Sequence, residues 1–191
     1  MQLKSKIIVA FMGVDGSGKT TLAKKINKLL KESKYLHLKP YILIKDRRTT
    51  VKDPHFYNKS SFIISFIRII SWLISYKIFF FINKSKGIYI FDRYAHDVIV
   101  DPVRYKNSLS KNIIKFIIDF FPKPNLWIFL NTSIKVVKSR KNELNDKELK
   151  RQIKEYSIFF KNKKNVLRLN TNTLINISTL KIKNKIKTFV K

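Results

Sequence analysis

Five short apolar runs punctuate the chain: Ile7–Met12, Tyr41–Lys45, Gly87–Asp92, Leu126–Leu130 and Val166–Leu169. They show little polar alternation, as expected of strands buried on both faces of a parallel sheet. Between them, Leu22, Ile26, Leu29 and Leu30 recur at helical spacing, with Lys24, Lys25, Lys28 and Lys31 on other faces. Asn145 with Glu148 three residues on makes a capping-box-like helix start. The β/α alternation predicts an α/β fold of three layers, a five-stranded parallel sheet with helices on both faces. In such a fold ligands sit at the carboxyl ends of the strands. With no internal repeat and no Gly/Ser linker, residues 1–191 are read as one domain.

The segment Phe62–Ile82 breaks this rhythm, being long and apolar enough to suggest a membrane span. Arg68 and Lys77 interrupt it, each costing up to about 3 kcal/mol inside a bilayer. A crossing would also place the glycine loop before it and the Asp92-Arg93-Tyr94 stretch after it on opposite sides of a membrane. A long buried helix is the expected form. A homodimer face and a peripheral membrane contact through 62–82 stand as alternatives.

Composition changes the picture little. The formal net charge of +29 invites a nucleic-acid partner. The lysines are spread along the chain, however, and no nucleic-acid-binding signature accompanies them. Abundant Lys, Ile, Asn and Phe beside scarce Gly and Ala match an AT-rich coding sequence, so no specific nucleic acid is expected. The absence of cysteine excludes disulfides, a thiolate nucleophile and a zinc–cysteine site. Lys4 and Lys6 precede an apolar run that flows straight into the glycine loop, so no signal peptide is expected and the location is read as cytoplasmic.

The candidate chemistry starts with glycine. Of four glycines, three fall in the octapeptide Gly13-Val14-Asp15-Gly16-Ser17-Gly18-Lys19-Thr20. It matches G-x-x-x-x-G-K-S/T between a strand and a helix, the context this motif requires. Backbone N–H groups of such a loop wrap phosphates, aided by the helix N-terminus. Lys19 is then expected to reach the β- and γ-phosphates, and the Thr20 hydroxyl to hold Mg²⁺, with Thr21 completing the loop. The run Ile88-Tyr89-Ile90-Phe91-Asp92 ends a strand in a carboxylate. Such a group can position Mg²⁺ or orient an acceptor. Arg93 follows, its planar fork suited to a pair of phosphate oxygens.

On these residues the chain resembles the thymidylate kinase family. The likeness rests on the stretch from Phe11 to Thr21 and on Asp92-Arg93-Tyr94, with length and element order in agreement. The resemblance implies the P-loop NTPase fold, ATP and Mg²⁺ as cofactors, and γ-phosphoryl transfer to a small-molecule acceptor, dTMP first. It assigns acceptor-phosphate contact to Arg93, acceptor and metal organisation to Asp92, and a place near the acceptor sugar to Asp15. Tyr94, Asp97 and one of Arg47 and Arg48 are the further acceptor-binding candidates, with His96, Asp101 and Arg104 beside them. Arg140, in a lid segment near 140–150, is the candidate for stabilising transition-state charge, with Lys141 behind it. Downstream of Tyr94 the chain departs from the family: Asp97, Val100, Asp101 and Pro102 replace its Ser and Ala-Tyr-Gln. Asp46-Arg47-Arg48-Thr49 likewise replaces its Arg-Glu-Pro-Gly-Gly turn. In these departures the chain resembles a divergent thymidylate kinase-like branch, which implies as alternative a kinase of a sugar or lipid-linked intermediate in surface-polysaccharide assembly; a regulatory module that hydrolyses ATP slowly is the other.

Overall fold

A computed structural model describes residues 5–40, 59–83, 86–140, 146–170 and 174–189. In chain order the elements are β1 (Lys6–Met12), α1 (Lys19–Leu29), β2 (Ser33–His37), α2 (Phe62–Ile82), β3 (Gly87–Asp92) and α3 (Asp97–Val100). There follow α4 (Lys111–Ile118), β4 (Leu126–Asn131), α5 (Ile134–Arg140), α6 (Asp146–Lys161), β5 (Val166–Asn170) and α7 (Ile175–Lys187). They group into two compact units, the first comprising Met1–His37, Ser85–Tyr94 and Lys123–Lys191, the second Leu38–Lys84 and Ala95–Pro122.

The first unit holds the sheet, all parallel, in the order β2-β3-β1-β4-β5. Alternate strand positions supply two apolar faces. On one, Ile7, Val9, Phe11, Ile88, Ile90, Ile128 and Leu130 pack with Leu22 and Ile26 of α1 and Ile182 and Ile186 of α7. On the other, the Trp127 and Phe129 rings lie 5.8 and 4.7 Å from Phe160 of α6. Each fully buried aliphatic side chain contributes about 1.5–3 kcal/mol. The expected three layers, with a five-stranded parallel sheet at the centre, are present. β1 is flanked by β3 on one side and β4 on the other, so the strand order reverses at β1, the place where such sheets bind ligands.

Four of the five expected strands coincide with β1, β3, β4 and β5. The second differs: the sheet uses Ser33–His37, and Tyr41–Lys45 lies outside the described residues. β2 is an edge strand whose residues are largely half-buried, so its sequence carries neither an apolar run nor clean alternation.

In the second unit, α2 spans Phe62–Ile82 as expected for a helix, capped by the Ser61 hydroxyl, which accepts from Ile64 N at 3.4 Å. It is not buried throughout. Ser65, Ile69, Trp72, Ser75 and Tyr76 form one buried stripe. Phe62, Ile63, Ile67, Ile74, Phe81 and Ile82 are exposed. A helix apolar all round carries no sequence signal for which stripe the core takes. By length and composition α2 could cross a membrane. Arg68 is accounted for within the unit, its guanidinium donating to the Tyr105 carbonyl at 2.5 Å and to Ser60 Oγ at 2.8 Å. Trp72 meets Tyr105 edge to face at 5.4 Å, and Tyr76 meets Phe121 in the same way.

Candidate active site

The loop between β1 and α1 stands at the carboxyl edge of the central strand. Gly13 has φ +148°, and a Cβ there would lie 2.8 Å from the Leu130 carbonyl oxygen, a backbone atom that no rotamer change can move. Gly18 caps α1 at φ +89°. Ser17 N donates to Val14 O at 3.2 Å, closing the turn between them. Gly13→Ala is expected to lower stability by about 1–3 kcal/mol, the range for a residue forced into a sparsely populated conformation. It should also weaken ATP binding. Thermal melts with and without ATP check this; an unchanged melt with an unchanged ATP shift counts against it.

Lys19, at the first residue of α1, is buried. Its ammonium donates to Val14 O at 2.7 Å and to Ser17 Oγ at 3.4 Å, with Asp15 Oδ1 at 3.9 Å. A buried ammonium at a helix N-terminus, inside a turn of main-chain N–H groups, makes an anion site of considerable field.

Phe11 and Asp92 are register partners on β1 and β3, which brings Asp92 to the same edge. Thr20 Oγ1 donates to Asp92 Oδ2 at 2.6 Å. The Tyr35 hydroxyl donates to the same oxygen at 2.9 Å. Hydroxyl and carboxylate form an all-oxygen donor pair, which fits Mg²⁺. Among the described residues no cluster of three or more His, Cys, Asp or Glu could hold a metal. A hydroxyl–carboxylate pair suits an ion that draws its other ligands from water and substrate phosphates, as Mg²⁺ does.

Arg93 follows directly, with φ +70°, a left-handed conformation rare for a side chain of this size. Its N–H donates to Phe11 O at 3.1 Å, continuing the bonding between β3 and β1. Its guanidinium is buried and forms an ion pair with Asp15. Asp15 thus sits between Arg93 and Lys19. Arg140, at the end of α5, is exposed and brings Nη1 to 3.8 Å from where a Cβ on Gly18 would lie. Val14 is buried in the loop, and Thr21 is exposed on α1.

Tyr94 lies directly after Arg93. It is fully buried, its ring edge-on to Phe91 at 5.0 Å and Trp127 at 6.0 Å. Burial pushes its phenol well above the ordinary tyrosine range. Its ring packs in the core of the first unit. Asp97, in the second unit, is fully buried and accepts a hydrogen bond from the Tyr105 hydroxyl at 2.7 Å. Asp101 Oδ1 accepts from Arg104 N at 3.3 Å, an Asx-type turn just ahead of Pro102. His96 is buried beside them in the chain. Arg47, Arg48, Lys141 and Asn145 lie outside the described residues, as does the first part of the expected lid. Residues 146–150 open α6, where Glu148 accepts from Arg151 and Gln152. Tyr35 carries no sequence signal, because its reach to Asp92 depends on the pairing of β2 with β3.

Fold and loop together define a phosphate-loop α/β protein. Along nearly its whole length the chain has the fold of the thymidylate and deoxynucleoside kinases. The deoxyadenosine kinase of M. mycoides, solved with products dCMP and a flexible dCDP bound, aligns over 95% of this chain and 99% of its own, with a TM-score of 0.66 at 17% identity. The thymidylate kinase of Candida albicans aligns over 97% and 92%, with a TM-score of 0.65 at 17% identity. That of Ehrlichia chaffeensis aligns over 95% and 99%, with a TM-score of 0.63 at 15% identity. No family model matches the sequence, and no curated protein matches it. The likeness is one of fold.

Proposed function

We propose that this protein transfers the γ-phosphoryl group of ATP to a nucleoside monophosphate, with dTMP the first acceptor to test. One observation carries the reading: Lys19, the Thr20–Asp92 pair and the Asp15–Arg93 pair converge at the carboxyl ends of β1 and β3. A nucleotide-dependent switch needs the first two. A buried arginine next to the strand-end carboxylate supplies a second cation for a second anionic group.

The chain's own groups account for the chemistry required. The loop N–H groups and Lys19 bind the donor phosphates, and an arriving phosphate competes with Val14 O for the ammonium. Arg93 exchanges Asp15 for the acceptor phosphate, which fixes the direction of in-line attack. Arg140, at the rim beside Gly18, adds positive charge as the phosphoryl group transfers. Thr20 and Asp92 would hold Mg²⁺, which would supply neutralisation of phosphate charge. No covalent intermediate is needed.

A second reading is a deoxynucleoside acceptor, favoured by the full-length fold likeness to the M. mycoides deoxyadenosine kinase. A coupled ADP-release assay across dTMP, other nucleoside monophosphates, deoxynucleosides and phosphosugars tests both. Turnover of about 1 s⁻¹ or more with dTMP is the expected result for a kinase of this type. Turnover with deoxynucleosides alone favours the second reading. Turnover with a phosphosugar alone, or only slow acceptor-independent hydrolysis, overturns both.

A further inference from the structure

Among the described residues Asp92 Oδ2 receives two hydrogen bonds, one of them from Thr20 of the phosphate loop. The other is the Tyr35 hydroxyl of β2. Register pairs Tyr35 with Ile90 and His37 with Asp92, which makes Tyr35 the diagonal neighbour of Asp92 across the sheet. The Tyr35 ring packs against the apolar cluster that β1, β3, α1 and α7 share, and the Lys24 ammonium lies 5.9 Å from its centroid. Packing thus fixes the ring, and the fixed ring delivers its hydroxyl to the carboxylate.

We propose that Tyr35 is a positioning residue for the divalent cation of the nucleotide complex, acting through Asp92. The inference rests on reading Thr20 and Asp92 as a Mg²⁺ site, but not on the identity of any acceptor. A carboxylate held by one hydroxyl alone can still rotate about its Cβ–Cγ bond. A second donor on the same oxygen, itself immobilised, removes the freedom. It keeps Oδ2 toward Thr20 and presents Asp92 in one orientation. Thr20 and Asp92 then offer their oxygens together, without reorganisation on metal binding.

Tyr35→Phe keeps the packed ring and deletes only the hydroxyl. Binding of Mn²⁺ to the full chain with saturating ADP, followed by electron paramagnetic resonance of free Mn²⁺, is the direct test. ADP binding in EDTA is the control. The Mn²⁺ dissociation constant is expected to rise about tenfold, the lower end of what losing a hydrogen-bond partner of a metal-ligating group costs. ADP affinity without metal should change less than about twofold, since the hydroxyl deleted is the one that bonds Asp92 on β3. Half-saturating Mg²⁺ for turnover should rise in parallel, with kcat at saturating Mg²⁺ nearly unchanged. An unaltered Mn²⁺ constant overturns the proposal. So does an equal loss of ADP affinity with and without metal, which assigns Tyr35 to packing alone. The titration requires no acceptor. If wild-type protein shows the Tyr35-dependent Mn²⁺ constant yet transfers nothing, the kinase reading falls and this one stands.

Discussion

Lys19→Ala is expected to lower kcat for phosphoryl transfer by about 10²–10³-fold, since one preorganised charge on the transferring group is worth roughly 3–4 kcal/mol and 1.36 kcal/mol is tenfold in rate. Lys19 is 5% exposed, so its charge acts where water screens it poorly. Its ammonium is held by Val14 O and Ser17 Oγ within the loop. Fold should survive the change: Asp15 keeps its ion pair with Arg93, so no carboxylate is stranded. The ATP dissociation constant should rise too, because the same charge contacts the ground-state phosphates. Steady-state kinetics, ATP titration and a thermal melt separate these effects. Transfer retained within about tenfold in a folded Lys19→Ala protein would remove the loop from the reaction, because the lost charge term alone exceeds that.

Arg93→Ala is expected to lower kcat/KM for the acceptor by about 10²–10³-fold, the cost of truncating a buried charged group that binds a phosphate. Two confounding effects have their own controls. The ion pair with Asp15 is lost, and Asp15 is left facing Lys19 at 3.9 Å. Combining Arg93→Ala with Asp15→Asn removes that new carboxylate effect and should not restore transfer. The backbone at Arg93 lies at φ +70°, and glycine there relieves roughly 1 kcal/mol of conformational cost that alanine keeps. Arg93→Gly should therefore melt higher than Arg93→Ala while remaining equally inactive. Recovery of transfer in the glycine variant would mean that the side chain acts through the fold and not on the acceptor. Arg93→Lys should recover little, since a point charge does not reproduce a two-pronged contact.

The legibility of the site followed chain locality. Gly13 to Thr20 is one contiguous turn, and its chemistry needs no partner from elsewhere in the chain. Asp92 was legible because an apolar strand ending in a carboxylate is a local pattern. The surroundings of Tyr94 were not legible, for the opposite reason. Its neighbour Arg93 turns left-handed, the strand's in-out alternation ends there, and Tyr94 enters the core against Phe91 and Trp127. Asp97 accepts from the Tyr105 hydroxyl, a pairing no spacing rule announces.

By itself the sequence determined four of the five strands, the helix from Phe62 to Ile82 and the phosphate-binding loop. These depend on apolar runs and glycine conformations, interactions whose range is a few residues. Tertiary structure decided which segment closes the sheet edge, which stripe of α2 is buried, and where Arg93 and Tyr94 point. It also brought Thr20, Tyr35 and Asp92 to one oxygen, from positions 57 and 72 residues apart in the chain. The physical reason is strand register: a parallel pairing of β2 with β3 and of β3 with β1 is set by burial summed over whole faces, and only that sum places one hydroxyl beside one carboxylate.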